Sequence, residues 1–457
     1  MRRRGASWLG RSLAILALSG LLVGCVTYRP RPLAGSPDLS AAPQRLKIDT
    51  ARLRVAPLAA IRVDPRDGIS PLEAAVLAVL NSPELEARRR AAGVSQAQAF
   101  AAGLFPDPQI TAGQDKPVSG PDTQTAYNAQ VSLDLASLLA HVSARRAARF
   151  TANQVDLDLL WAEWTTGQQA RQLVETALAA ERKAAFFTKV ADIAQRRDAA
   201  SKVALQRRDV TAQAAAADLA VKLDAQTQLA TAHHDAFKAR RDLNALLGLR
   251  ADVVLPLVED PAADGYEAAT LASALTSLPE RRPDLLALQA GYSAQDANLR
   301  KAIFAQFPIT SLALSFAKDP AGTTTRGLST SLFLPLFNGG RGEARIQAAT
   351  REQLHAEYQS RLDAADAEVK AAQAELAGAI AFAAQLQADV PRLEALVAPA
   401  QAAYDRHDLD SQTFLTLTQS ALTRRADLDD KVLAARLAEI TLETALFLPP
   451  AAAKATP

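Results

Sequence analysis

The chain has 457 residues, enough for two or three ordinary globular domains, yet only 5% of them are aromatic and alanine dominates. That composition suits closely packed long helices better than a thick core. The formal charge of +2 becomes −2 once Arg2, Arg3, Arg4 and Arg11 near the N-terminus are set aside, so no basic patch speaks for nucleic acid. A single cysteine excludes a disulfide framework.

Residues 1–24 read as a secretory signal: arginines, then a short apolar run from Leu13 to Val23, too short to persist as a spanning helix. The ending Leu22-Val23-Gly24-Cys25 resembles the lipobox of bacterial lipoproteins. That resemblance implies cleavage before Cys25 and acylation of its thiol with a palmitate-type anchor. Val26 rather than Asp at the next position fits sorting to the outer membrane. The alternative is an ordinary secretory signal with an incidental cysteine.

Residues 25–68 carry so many prolines, from Pro30 to Pro65, that continuous helix is forbidden, and they read as an extended leader. A first structural unit spans 69–265. Ser70-Pro71-Leu72-Glu73 is a helix start with Ser as N-cap, Pro at N1 and Glu at N3. The helix breaks at Asn81-Ser82-Pro83-Glu84 and resumes to about Leu104. Phe105-Pro106 opens a strand over Gln109 to Lys116, and a Pro/Gly loop follows. A second strand, Tyr127 to Leu135, sets Tyr127, Ala129, Val131, Leu133 and Leu135 against Asn128, Gln130, Ser132 and Asp134. A long helical stretch then runs from about Leu138 to Leu247. Asp198-Ala199-Ala200-Ser201 is its expected reversal and Gly248 its C′ glycine. Pro256 to Gly265 is a linker.

The order repeats across a second unit, 266–447, ahead of a tail at 448–457. A helix covers Thr270 to Leu278, Ser277-Leu278-Pro279-Glu280 parallels Asn81-Ser82-Pro83-Glu84, and Phe307-Pro308 parallels Phe105-Pro106. The offset is about 200 residues, far beyond solenoid periods, so the chain is a duplicated half. Pro308 to Lys318 alternates with Leu312, Leu314 and Phe316 on one side and serines and alanines on the other. Leu328 to Phe337 sets Leu328, Leu332, Leu334 and Leu336 against Ser329 and Ser331. The turn Asp319-Pro320-Ala321-Gly322 separates the two. The pattern fits either a half-buried soluble strand or a lipid-facing barrel strand with a wet lumen, and about ten residues suffice to cross a bilayer at a tilt.

Arg281-Arg282-Pro283-Asp284-Leu285, a helix, Phe-Pro opening a hairpin, and Pro335-Leu336-Phe337-Asn338-Gly339-Gly340-Arg341 running into a long helix together resemble the TolC-type outer-membrane efflux proteins. The resemblance covers most of the chain. It implies a mainly α fold with membrane β: a long α-helical tunnel joined to a β-barrel to which each chain gives four strands. It implies a homotrimer with 12 strands, outer-membrane lipid around the barrel, and a periplasmic adaptor and an inner-membrane transporter as partners. The duct is then passive and lipid-anchored in the outer membrane, extending into the periplasm.

Elementary physics agrees on one point. Four transmembrane strands cannot close a barrel and cannot leave an open edge in lipid, so copies must share one. The outward side chains are then Val131, Leu133, Leu135, Leu312, Leu314, Phe316, Leu328, Leu332, Leu334 and Leu336. The second long helix should reverse near Asp405-Arg406-His407-Asp408-Leu409-Asp410. Asp408 and Asp410, with Arg406, are the candidate periplasmic gate, and a merely solvated turn is the alternative. The resemblance implies a glycine where Asp408 stands, a departure from the pattern.

No HExxH, Walker A, GxSxG or CxxC pattern occurs, and the five histidines lack ligand spacing, so no enzyme, metal or cofactor is expected. Gly339-Gly340 reads as a tight turn rather than an anion site. The rival to a duct is a lipid-anchored periplasmic coiled-coil scaffold whose hairpins pack on its own helices. The sequence gives no pointer to cargo.

Overall fold

A computed structural model describes residues 28–59, 61–64, 67–120, 124–260, 266–306, 309–332, 337, 339–406 and 408–450. Residues 1–27, with Cys25 and the expected signal, lie outside the described residues, as do Phe307, Pro308, Leu334, Leu336, Asn338 and His407. Residues 28–39 form a unit of their own, without helix or strand and exposed throughout.

Within the second unit, eight helices and four strands carry the architecture. Helices α1 (Pro71–Asn81) and α2 (Pro83–Ala101) precede strands β1 (Gln109–Asp115) and β2 (Ala126–Asp134). The long pair α3 (Leu135–Arg207) and α4 (Ala212–Leu246) follows. Then come α5 (Ala268–Thr276), a single turn at Leu278–Arg281, and α6 (Pro283–Phe304). Strands β3 (Ile309–Lys318) and β4 (Thr324–Leu332) lead to the second long pair, α7 (Arg341–Asp405) and α8 (Ser411–Leu446). Helix pair, hairpin, long helix, long helix thus occurs twice. At 1.5 Å per residue, the 73 residues of α3 and 65 of α7 reach about 110 Å and about 100 Å.

Local chemistry sets the ends of these elements. Ser70 and Glu73 form the expected capping box: Ser70 Oγ accepts from the Glu73 amide at 3.3 Å and Glu73 accepts from the Ser70 amide at 2.9 Å. Gly248, at φ +69°, ends α4 in a Schellman motif, its amide bonded to Ala245 and that of Leu249 to Asn244. Three expectations shift. Leu135 starts α3 rather than ending β2, because Asp134 accepts from the Ser137 amide at 3.0 Å and caps the helix. Strand β4 begins at Thr324, since the turn closes on Asp319, whose carboxylate accepts from the Thr323 amide at 2.7 Å. Finally, Pro83, which opens α2, corresponds in element order to Pro283, which opens α6; the motif at Ser277-Leu278-Pro279-Glu280 forms the short turn before it.

The core sits where the long helices cross the short ones. Leu77, Val174, Leu243, Leu247 and Leu255 are buried together under α1, and Leu285, Val369, Leu442 and Leu446 form the counterpart in the second half. Alanines close the helix pairs beyond them, with Ala191, Ala194 and Ala225 between α3 and α4. The part of the leader from residue 40 onward lies on this core. Leu46, Val55 and Leu58 are buried, and Asn81 clamps the strap by accepting from the Lys47 amide at 2.7 Å and donating to its carbonyl at 3.0 Å.

Candidate functional site

The four strands form one antiparallel sheet in the order β1-β2-β3-β4. Its register places Val131 beside Ile110 and Leu314, Leu133 beside Leu312, and Leu314 beside Leu328. Directly paired residues share a face, so one continuous apolar surface crosses all four strands. The other face carries Asn128, Gln130, Ser132, Ser315 and Ser329. Gly113 serves that face, since a Cβ there would meet Asn128 Oδ1 at 2.6 Å. Leu314 is 46% exposed and Leu328 73%, so no described element covers the apolar side. Val131, Leu133, Leu312, Phe316 and Leu332 are exposed with them, and Leu135 is half-buried in α3. A bulge lies between Ile309 and Ser311, and Leu332, paired with Ile309, is the last described residue of β4. Strands β1 and β4 each have one neighbour among the described residues, which leaves two backbone edges unpaired.

At the far end of the long pairs lie two reversals. The first is at Arg208–Thr211, not at Asp198–Ser201. Arg208 adopts a left-handed φ of +65° and Thr211 caps α4 through the Ala214 amide at 3.2 Å. Asp198 stays helical because its buried carboxylate is held by Lys202 at 2.7 Å and by Lys222 of α4 at 2.9 Å, and these bonds hold it below its ordinary value. Arg197 and Asp218 pair alongside at 2.7 Å. The second reversal follows Asp405. Asp408 pairs with Arg406 at 3.0 Å, both sides exposed, an interaction of small energy. Asp410 is the N-cap of α8, accepting from the Thr413 amide at 2.9 Å and its hydroxyl at 2.6 Å. Tyr404 stacks on Phe414 across the turn at 5.1 Å.

Two buried charge networks escape a reading of the sequence. Arg282, 1% exposed, bonds Asp284 at 2.9 and 3.2 Å, Glu368 of α7 at 2.8 Å and the Ala445 carbonyl of α8 at 3.2 Å. Its guanidinium lies 4.7 Å over the Trp161 ring. Arg361 completes the set on Asp284 and Glu368. Burial pushes the Glu368 carboxyl up, but hydrogen bonds from Arg361 and Arg282 prevail and hold it below its ordinary value. In the second network Arg171 of α3 bonds the buried Glu443 of α8, and Tyr266 donates to Glu443 at 2.9 Å. Burial, then repulsion from Glu443, raises the Glu439 carboxyl; burial likewise raises Glu175 and Asp260. The one visible sign was the pairing of Arg and Asp around Pro283.

The histidines are placed apart. His141 stacks on Phe105 at 4.8 Å, His355 meets the Tyr292 ring edge at 6.3 Å, and His233 and His234 are exposed. Among the described residues no group of three or more His, Cys, Asp or Glu could hold a metal ion, and no helix is long and apolar enough to cross a membrane. Gly339 and Gly340 both adopt positive φ in the strand-to-helix turn.

No protein-family profile and no curated relative matches the sequence. Solved structures do match. The Campylobacter jejuni CmeC outer membrane channel superposes with a TM-score of 0.70 at 14% identity, over 93% of this chain and 96% of that one. A membrane protein from Pseudomonas aeruginosa gives 0.69 at 19%, over 92% and 97%. The open state of the Neisseria gonorrhoeae MtrE outer membrane channel gives 0.65 at 15%, over 93% and 98%. The chain has the fold of these channels, mainly helical with a small four-stranded sheet, as the resemblance in the sequence implies.

Proposed function

We propose that this chain is the outer-membrane exit duct of a tripartite export system. One observation carries the reading: a four-stranded sheet with an uncovered apolar face and two unpaired edges is joined to two helices about 100 and 110 Å long. Water would penalise that face and lipid would penalise those edges, so the strands need both a bilayer and neighbouring copies. The channel fold supports three copies and a 12-strand barrel. A scaffold whose helices cover its own hairpins does not fit the exposure of Leu314 and Leu328.

In this reading the small, polar face of the sheet lines a wet lumen and the long helices continue it through the periplasm. The duct is passive. A periplasmic adaptor and an inner-membrane transporter drive export, and Cys25 carries a lipid anchor. Asp408, Asp410 and Arg406 are the proposed gate: repeated around an axis, the aspartates make a ring of like charge that Arg406 partly neutralises. The division into a leader at 25–68 and repeats at 69–265 and 266–447 belongs to the same proposal.

The test is conductance of the purified full chain in planar bilayers. Discrete, long-lived channels are the expected result, and a detergent-soluble protein that never conducts overturns the duct. Acyl labelling of Cys25→Ser tests the anchor separately: the label should vanish, and a persisting labelled band refutes it.

A further inference from the structure

Between α3 and α6, just beyond the sheet, lies a cleft of about 320 Å³ that the duct reading leaves unused. Its lip is apolar: Val142 is 72% exposed, and Ile303 and Phe304 are half exposed. Its buried floor is Ser143 and Ala297, and exposed Arg146 of α3 and Arg300 of α6 flank it. Asp296 is the only acid there, and it bonds Arg300 at 2.9 Å and Arg351 at 3.7 Å. Among the described residues Arg146 has no ion pair, and its guanidinium lies over the Phe150 ring at 5.7 Å. The lining of the cleft therefore carries one net positive charge.

On both helices polarity is ordered in the same way along the axis. Leu139 and Val142 lie nearest the strand end of α3, and Arg145, Arg146 and Arg149 follow on the exposed side. Ile303 and Phe304 lie nearest the strand end of α6, with Lys301 and Arg300 behind them. Side chains of a helix lean toward its N-terminus. The N-terminus of α3 is its strand end, so Arg146 and Arg149 lean toward the sheet. Exposed Arg341 and Arg345 open α7 with the same lean and have no charged partner among the described residues. Apolar side chains first and guanidinium groups next, without a charged partner at Arg146, Arg341 and Arg345 and paired with Asp296 at Arg300, is the profile of the boundary between acyl chains and headgroups.

We infer that this cleft binds an anionic phospholipid of the leaflet facing the periplasm, its phosphate on Arg146 and Arg300 and its glycerol and upper acyl carbons against Val142, Ile303 and Phe304. The inference rests on the outer-membrane reading. The lipid would fasten the helical shaft to the membrane at the point where the barrel gives way to helices.

The experiment uses the full chain in detergent, with native mass spectrometry and thermal unfolding in added dioleoylphosphatidylglycerol or dioleoylphosphatidylcholine. The anionic lipid should be retained about tenfold more and should raise the melting temperature. Arg146→Gln with Arg300→Gln should abolish the preference while conductance in zwitterionic bilayers persists, and Arg146→Lys with Arg300→Lys should keep it. Absence of a headgroup preference in the wild type overturns the proposal, and this holds whether or not the glutamine variant folds. So does an unchanged preference in that variant, or equal displacement of the lipid by glycerol phosphate, which would mark a plain anion site. Dissociation of the oligomer in the glutamine variant would assign the cleft to a contact between copies. Loss of conductance in the wild type strikes the duct reading instead, which separates the two failures.

Discussion

Replacing Leu314 with arginine tests whether the apolar face meets lipid. Leu314 is the sixth of ten residues in β3, flanked by Val131 on one side and Leu328 on the other. Five steps of about 3.3 Å put it roughly 17 Å along the strand, or about 13 Å deep at a tilt near 40°. That is close to the middle of an apolar band about 25 Å tall, where arginine costs about 2–4 kcal/mol. The folding equilibrium should fall between about 30-fold and about 700-fold. Gln130, next to Val131 but on the opposite face, is the control, and Gln130→Arg should change little. Leu332 pairs with Ile309, the first residue of β3, so Leu332→Arg should cost only about 0–1 kcal/mol, as expected near an interface. Reversible urea titration of the protein in vesicles, read as heat-resistant oligomer on gels, gives all three values. Equal damage at Leu314 and Gln130 would refute the orientation, because a sheet buried by protein on both faces rejects charge from either side.

Arg282→Met should cost about 3–5 kcal/mol by leaving the buried Asp284 with Arg361 as its one remaining charged partner and the Ala445 carbonyl without this donor. Guanidinium unfolding followed by tryptophan fluorescence reports it through Trp161 beneath the guanidinium, and a cost below about 1 kcal/mol would mean the network is wet. Glu439 is held above its ordinary value when folded, so the folded state binds that proton more tightly and loses stability as pH rises through the interval above the unfolded value. Glu439→Gln should therefore stabilise the chain at pH 7.5, with the gain vanishing as pH falls toward about 4 in parallel melts; a gain that grows on acidification reverses the sign. At the proposed gate Asp410→Ala would lose a helix cap worth about 1 kcal/mol, so charge is better removed by Asp408→Ala with Asp410→Asn, since asparagine still caps. Conductance should rise and block by divalent cations weaken, and no change in either would leave these aspartates as turn residues.

Elements whose cause lies within a few residues could be read from the chain. The capping box at Ser70, the αL glycine at 248 and the period-two runs around Val131 and Leu314 are local, and the structure holds them as expected. Boundaries failed where a side chain had two uses. Asp134 fits the polar side of a strand, yet it caps α3 and turns Leu135 into a helical residue. Asp198 looks like a helix breaker, yet Lys222, 24 residues on, keeps it helical. The true reversal at Arg208 has neither glycine nor proline, and only the Thr211 cap marks it.

The charge networks were hidden for a different reason. Arg282 meets Glu368 across 86 residues and Arg171 meets Glu443 across 272, separations that no periodic pattern encodes. Their placement nevertheless has a logic that the element order exposes. Pro83 and Pro283 stand 200 residues apart at the starts of equivalent helices, preceded by Ser82 in one half and Arg282 in the other. Ser82 caps α2 by accepting from the Leu85 amide, whereas Arg282 makes no side-chain cap to α6 and instead bonds Asp284, Glu368 and the α8 backbone. The corresponding position closes its own helix in the first half and ties three helices together in the second. A mutation at Ser82 should therefore stay local, while one at Arg282 should loosen α6, α7 and α8 as a unit.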